Sequence, residues 1–555
     1  MDPGETLDLR YTTTYKERRS VWFSFVLPDM VPPLWIPFAH DQRFDNVNVA
    51  VRNRGLALVP KMKYRTQQVL YERVDFLCNK LRIRDHVYRW SLDSVANSFS
   101  GAKKKAYLSA LEQFSRTGWR EKYGKIKVFV KQEALDPMSK NNPDPRAIWA
   151  RDPIYNLHIG RYTRPIEHFV FKTKMEDWGF PGVGRVFAKG LNSYQRAAEL
   201  RRKWDAFDNP VAFSIDGSRW DMHISLRAID VEHRFYTNSF PYCSDLQKLL
   251  RYQRVNKCST QYHRIKTKGR RMSGDMNTSL GNCLLAVIYI DYYMRSLGIR
   301  KWDILDDGDD CVVIVEYENL ALFQDNILLL GLDVGQETKI ENVATTFNQI
   351  LFCQSKPIFT RDRWCMVRSP TRAMSKSLFT LKEDGRDPRS HLFAVMMGLF
   401  IEHRGIPVIQ NFALAALHQL YDPELVMHVT SHDDYLRQRI SDAFSIVGLK
   451  YDEQTKLKDI FRSFELRPST PSDYTRILFK DSFGLDSLTQ IACETQFGSV
   501  LSSNDFSYKY DGTWKLGTVD TAHQLEKWYT ERWNVVWEGV SNSNFLPANA
   551  KHFTL

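Results

Sequence analysis

Apolar and polar positions follow two different periods along this 555-residue chain. Over 66–81, and again over 103–114, apolar residues return every three or four positions, which predicts helices with one buried face. Residues 127–133 read as an alternating strand, and 146–151 predict a second strand beyond a Pro-, Asn- and Asp-rich loop at 136–145. A mostly apolar run at 211–215 reads as a short buried strand that stops at Asp216, and 222–236 read as a helix. Residues 260–266 alternate like one arm of a hairpin. They lead through a Ser- and Gly-rich loop at 272–282 into a long apolar helix ending near Leu297. Residues 304–315 predict a β-hairpin, with an apolar run into an acidic turn around Gly308 and a β-branched run out of it. Beyond it, 319–330 predict a helix and 347–355 a strand. From about 375 the chain is helix-rich and aromatic.

Composition narrows this little until charge is counted. With 43% apolar and 26% charged residues the chain is an ordinary folded protein, long enough for several subdomains. A net charge of +12 favours a polyanionic partner such as nucleic acid, and an anionic membrane also fits. The eight cysteines include no Cys-x-x-Cys pair, which argues against a compact structural zinc site but leaves one built from distant ligands open. Several sit in apolar runs, as reduced core thiols do. Residues 1–5 lack a basic and an apolar region, so no secretory signal is expected there. No apolar run reaches the roughly 18 residues of a spanning helix; the best, 283–294, is short and carries Asp291.

Four clusters carry candidate chemistry. The turn at 306–310 crowds Asp306, Asp307, Asp309 and Asp310 around Gly308. Such carboxylates repel one another unless a cation offsets them, and hard oxygen ligands suit magnesium or manganese. A solvated acidic turn is the bland alternative. Asp216 ends a strand and Asp221 follows five residues later, at a place where sheets offer ligands a crevice; Asp221 is also a plausible helix cap. Ser273, Thr278 and Asn282 lie at a loop–helix junction. Thr278 and Asn282, four apart, share a helix face and could meet a sugar hydroxyl, or the loop could simply cap its helix. Lys131, Arg146 and Arg151 on two short strands could aim three cations at a triphosphate, or face water. Further basic residues, Lys103, Lys104 and Lys105 with aromatics interleaved, and Arg264, Lys266 and Lys268, suit a groove that tracks phosphates. His403, His418, His428 and His432 lack ligand spacing, and no Gly-x4-Gly-Lys-Ser/Thr loop occurs.

Together, Asp216-x4-Asp221, Ser273-Gly274-x3-Thr278-x3-Asn282 and Gly308-Asp309-Asp310, with the basic strand pair upstream, resemble motifs A, B, C and F of viral RNA-dependent RNA polymerases. The run from Arg271 through Asn282, Cys311-Val312-Val313-Ile314, Phe352-Cys353-Gln354, Phe129-Val130-Lys131 and Pro145-Arg146-Ala147-Ile148 resemble the tombusvirus-like (carmovirus-type) members. The likeness is strong over 125–370 and slight in the C-terminal third. It implies an α+β right hand, whose palm is an antiparallel sheet packed on helices. The N-terminal region and fingers would span 1–205, with motif F at 125–152. The palm would span 206–375 with a fingers insertion near 240–272, and a helical thumb and C-terminal region would span 376–555. Asp216 and Asp309, assisted by Asp310, would hold two magnesium ions, or manganese. Lys131, Arg146 and Arg151 would neutralise a ribonucleoside triphosphate. Asp221, Ser273, Thr278 and Asn282 would sense the ribose 2′-hydroxyl, and Lys339 would protonate the leaving pyrophosphate. Template and product RNA are the implied partners, with a viral membrane-anchoring replication protein and a site at membrane-associated complexes in the host cytoplasm. One departure is Asp307, where relatives more often carry Asn. A reverse transcriptase and a metal-free RNA-binding scaffold are the competing readings. Trp514, Trp528, Trp533 and Trp537 could support a first nucleotide or pack in a core.

Overall fold

The computed structural model describes residues 6–8, 21–24, 39–133, 135, 143–381, 388–420, 440–441, 443, 469–502 and 514–517. Its strands, in chain order, are β1 (Thr6–Asp8), β2 (Val21–Ser24), β3 (Ile126–Val130), β4 (Ala147–Arg151), β5 (Pro210–Gly217), β6 (Val255–Ser259), β7 (Arg264–Lys268), β8 (Trp302–Asp306), β9 (Asp310–Glu316), β10 (Thr338–Ala344), β11 (Ser355–Phe359), β12 (Trp364–Arg368), β13 (Phe379–Leu381) and β14 (Trp514–Gly517).

A central antiparallel sheet runs β10-β5-β9-β8. Its strands are apolar on both faces: Val211, Ala212 and Phe213 on β5 and Val312 to Val315 on β9 are all buried. Such strands need cover on each side. One side packs on the helix Thr278–Leu297, which is buried nearly all round and joins one core with the helices Tyr64–Lys80, Pro153–Val170 and Leu226–Ser239. The other side packs on the helix Ser193–Trp204 through Ala197, Leu200 and Trp204. A second, outer sheet runs β1-β7-β6-β3-β4, antiparallel except where β3 meets β6. Its inner face, with Val128, Val130, Trp149 and Ile265, closes on the helix Phe44–Val51. The hairpin β11-β12 and the helices Pro388–Glu402, Ile409–Leu420 and Asp473–Phe483 form a further core. The chain is therefore a mixed helix-and-sheet fold built on antiparallel sheets, as expected.

Three local expectations change. The helix expected over 222–236 is two pieces, Trp220–His223 and Leu226–Ser239, because the Ser225 side chain accepts from Ala228 N–H and starts the second. Asp221 lies inside the first piece and caps neither. The strand expected over 347–355 is a 3-10 turn, Phe347–Gln349, followed by a bend in which Cys353 (φ 49°) and Gln354 (φ 60°) are both left-handed. That pair of conformations closes a tight hairpin turn between Phe352 and Ser355. The sheet β13-β2-β14 was not expected at all. Trp528, Trp533, Trp537, His428 and His432 lie outside the described residues, as does the Trp514 side chain.

Candidate active site

The acidic residues meet through strand register. Pairing of β5 with β9 sets Asp216 opposite Asp310, although 94 positions separate them in sequence. Pairing of β10 with β5 sets Lys339 opposite Asp216, and the Lys339 ammonium lies 3.1 Å from Asp216 Oδ2. Lys339 thus sits on a strand of the central sheet. Gly308 (φ 109°) supplies the positive φ that lets the β8–β9 turn close, and the turn tip packs beside Asn282. Asp309 stands exposed at that tip. Burial first, then the charges of Asp309, Asp216, Glu341 and Asp307, push the Asp310 carboxyl up to about 6. Among the described residues, no three acidic, His or Cys side chains converge closely enough to enclose a metal ion. The carboxylates share an open edge, with Lys339 supplying positive charge to Asp216.

The back of the turn is built differently from the solvated loop its sequence allows. Asp306 is fully buried; burial pushes its carboxyl well up, and Oδ2 accepts from Gly308 N–H at 3.2 Å. Asp307 pairs with Lys189 (2.6 Å) and Arg196 (2.9 Å), and accepts from the Cys353 thiol at 3.3 Å. The two cations therefore explain how this chain tolerates a carboxylate there. Asp307→Asn would leave both unbalanced beside Asp309 and Asp310. The expected result is a several-fold rise in the divalent cation needed to half-saturate the acidic edge, together with a loss of thermal stability from the two cations left unpaired, because like charge opposes cation binding over a few ångströms. A cation titration checks it, and an unaltered midpoint would show that the pair does not act on the turn.

The sugar-sensing candidates divide. Asn282 Nδ2 donates to Asp221 Oδ1 at 3.1 Å, so these two meet across 61 positions. Burial raises the Asp221 carboxyl, with the Asn282 bond opposing and Asp309 adding to the rise. Ser273 Oγ instead accepts from Trp149 N–H (3.1 Å), and Thr278 Oγ1 donates to the carbonyls of Met272 (3.0 Å) and Asp275 (2.9 Å). Those two hydroxyls hold the loop in shape. Arg271, Glu232 and Asn277, which the sequence reading did not single out, join the same buried network.

The cations divide as well. Lys131 N–H donates to the Arg146 carbonyl, and Glu133 pairs with both side chains, Lys131 at 2.8 Å and Arg146 at 3.5 Å. Arg146 also lies close enough to lower the Asp221 carboxyl slightly, so this pair borders the acidic edge. Arg151 does not join them, and its expected grip on a triphosphate is corrected. Its side chain is 0% exposed and clasps Asp275 (2.5 and 3.0 Å), Asn256 (2.8 Å) and the Gly124 carbonyl (2.8 Å). A guanidinium so committed is a strut between β4 and the 272–278 loop. The basic residues Arg264, Lys266 and Lys268 project from one exposed face of β7, and Lys257 stands directly opposite Lys266. Lys103 lies over the Phe99 ring at 4.5 Å, while Lys104 and Lys105 follow on the same helix, Gly101–Thr117.

Opposed carboxylates on a central sheet are thus bordered by a paired lysine and arginine and by a carboxylate–amide pair. The sequence profile of the viral RNA dependent RNA polymerase family matches residues 43–503. The chain is 34% identical over 407 residues to the RNA-directed RNA polymerase of Cymbidium ringspot virus, covering 70% of this chain and 49% of that protein. It is 38% identical over 334 residues to that of Oat chlorotic stunt virus (58% and 44%), and 33% identical over 414 residues to that of Tomato bushy stunt virus (70% and 49%). The chain belongs to the viral RNA-dependent RNA polymerase family. It spans about half the length of the curated relatives it matches.

Proposed function

We propose that this chain synthesises RNA on an RNA template, replicating a positive-strand viral genome by nucleotidyl transfer. The observation that carries this is the β5–β9 register, which sets Asp216 against Asp310 beside the Asp221–Asn282 pair. In this reading the central sheet belongs to a palm spanning 206–375. The outer sheet belongs to fingers drawn from 1–205 and an insertion near 240–272, and 376–555 form thumb and C-terminal region. Strands at 210–217, 302–316 and 338–344, against strands at 126–151 and 255–268, support that division.

Asp216, Asp309 and Asp310 would hold two divalent ions. The donor set fits, since carboxylate oxygens are what magnesium and manganese take, and the acidic neighbours that add to burial in raising Asp310 are the charges a cation offsets. Bound there, the ions would stabilise charge on the attacking 3′-oxygen and the departing pyrophosphate. Lys131 and Arg146 would exchange Glu133 for the triphosphate. Asp221 and Asn282 would meet the ribose 2′-hydroxyl, which favours ribonucleotides because a deoxy substrate leaves those groups unpaired. Lys339, freed from Asp216, would donate a proton to pyrophosphate. Arg264, Lys266, Lys268 and Lys103 to Lys105 would track the RNA backbone. No helix among the described residues is long and apolar enough to cross a membrane. We propose that the chain works in the host cytoplasm at membrane-associated complexes, through a membrane-anchoring viral partner.

The test is primed and unprimed synthesis on homopolymer RNA with magnesium or manganese. Template-complementary ribonucleotide incorporation is expected. Preferred deoxynucleotide incorporation would favour a reverse transcriptase, and RNA binding without synthesis a scaffold.

A further inference from the structure

An asparagine amide can sit in either of two nearly isosteric orientations, and its neighbours decide which. At Asn282 the deciding neighbour is Arg271. Its Nε–H donates to Asn282 Oδ1 at 2.9 Å, so the oxygen must face the guanidinium and the NH₂ must face Asp221. Arg271 can hold that position only if its other nitrogens are held. Both are spent on Glu232: Nη1 donates to Oε1 at 3.1 Å and Nη2 to Oε2. The Arg271 and Glu232 side chains are 3% and 0% exposed. Glu232 in turn accepts from the Tyr236 hydroxyl (2.6 Å) and from Asn277 Nδ2 (2.9 Å). Asn277 accepts from Gln253, which meets His233. Arg271 also fixes Asp221 through the backbone, its N–H donating to the Asp221 carbonyl at 2.8 Å.

Gly281 gives an independent sign that the pair is built to this place. A Cβ there would lie 2.3 Å from Glu232 Oε1 and 2.6 Å from Arg271 Nη2, so only glycine lets the pair cross the helix one residue before Asn282. Asp221 Oδ1 accepts from Asn282, which lies beside the turn at Gly308, so the network ends next to the acidic turn.

We propose that Arg271 and Glu232 are positioning residues for sugar selection: they fix the polarity of the Asn282 amide, and through it the Asp221 carboxylate that receives the ribose 2′-hydroxyl. This rests on the reading of Asp221 and Asn282 as the ribose sensors. Neither Arg271 nor Glu232 touches the nucleotide. With one fork of the pair lost, the guanidinium is released from its fixed pose, the amide gains its second orientation, and the preference for a 2′-hydroxyl weakens while the chemistry of addition continues.

The experiment is single-nucleotide addition on a primed RNA template, with ATP and dATP compared in Asn282→Ala, Glu232→Gln and Tyr236→Phe. Tyr236→Phe keeps the ring volume and removes one donor to Glu232, so it preserves the test if Glu232→Gln does not fold. In Glu232→Gln, kcat/KM for ATP should fall about tenfold while that for dATP stays within about twofold, the size expected for one lost hydrogen bond in a sugar-sensing site. Tyr236→Phe should shift the ratio the same way by about two- to threefold. Asn282→Ala should lower the ratio at least as much, and Glu232→Gln added to it should lower it no further. Equal losses for ATP and dATP in Glu232→Gln and Tyr236→Phe, with Asn282→Ala still changing the ratio, would reduce the pair to a structural role and overturn the proposal. An unchanged ratio in Asn282→Ala would overturn the ribose-sensing reading and the proposal with it.

Discussion

Asp309→Ala is expected to leave a folded chain that still binds RNA and to slow nucleotide addition on the order of 10³-fold or more, the scale of removing a principal charge-stabilising group from a reaction centre. The two halves of that expectation have separate physical grounds. Asp309 stands exposed at the tip of the β8–β9 turn, so truncation opens no cavity. It also removes a charge that pushes the neighbouring Asp310 carboxyl upward, so the change relieves repulsion in the free protein. What is lost is a carboxylate, in the proposed mechanism a metal ligand, at the edge where Asp216 and Asp310 already face each other. Asp310→Ala would be a poorer test, because Asp310 is part of a β-ladder and half-buried. The measurements are single-nucleotide extension and RNA-binding anisotropy on the same preparation, with thermal melting as a control. Synthesis that survives in Asp309→Ala would sink the proposed mechanism. Loss of RNA binding in parallel would show that the turn serves to hold RNA rather than to react.

How much of this was legible beforehand differs from residue to residue. The hairpin, the strand ending at Asp216 and the long helix after the 272–282 loop each follow from a period and a turn residue, and each stands where the pattern puts it. Which cation points where did not follow. Lys131, Arg146 and Arg151 look alike on two basic strands. The β3–β4 register makes Arg151 the partner of Ile126, and Trp149 the partner of Val128, so Arg151 belongs to the buried face. Opposite residues share a face, but the register depends on how the loop between the strands is laid, and no periodicity encodes that. Asp306 and Asp307 show the same limit. Side by side in sequence, one is buried away from water and the other is clamped by Lys189 and Arg196, residues more than 110 positions upstream. The sheet β13-β2-β14 joins short segments from 21–24, 379–381 and 514–517, too short for any to announce a partner. The tightest surprises, Arg271–Glu232 and Lys203–Asp303, are buried charges. Pattern reading assigns charges to the surface, and only the partner explains the exception.

Lys203→Met is expected to be the most destabilising single change at the hairpin's base, costing about 3–5 kcal/mol, the range for stripping one partner from a buried ion pair. Lys203, from the helix Ser193–Trp204, and Asp303, from β8, are both 0% exposed. The ammonium lies 2.6 Å from Asp303 Oδ1 and donates to the Val183 carbonyl at 2.6 Å. Asp303 also accepts from Val183 N–H and Ile304 N–H, both at 2.7 Å. Burial pushes the Lys203 amine down and the Asp303 carboxyl up, and each partner's charge opposes the other's shift. Methionine fills the space of the lysine stem and leaves a carboxylate with no cation. Its pKa in the folded variant then rises further above the unfolded carboxylate value of about 4. The sign follows: the folded variant binds more protons than the unfolded chain, so its stability falls as pH rises above about 4, until the folded-state pKa is passed. The deficit relative to the parent protein should therefore be smaller at pH 5 than at pH 8. Lys203→Met combined with Asp303→Leu should recover much of the loss, because an apolar pair carries no desolvation penalty, while losing the two N–H bonds that Asp303 accepts. Urea unfolding of the parent, the single variant and the double variant at both pH values measures all three expectations. A single variant with the parent's midpoint, or a double variant no better than the single, would show that this pair does not hold β8 in place beneath the acidic turn.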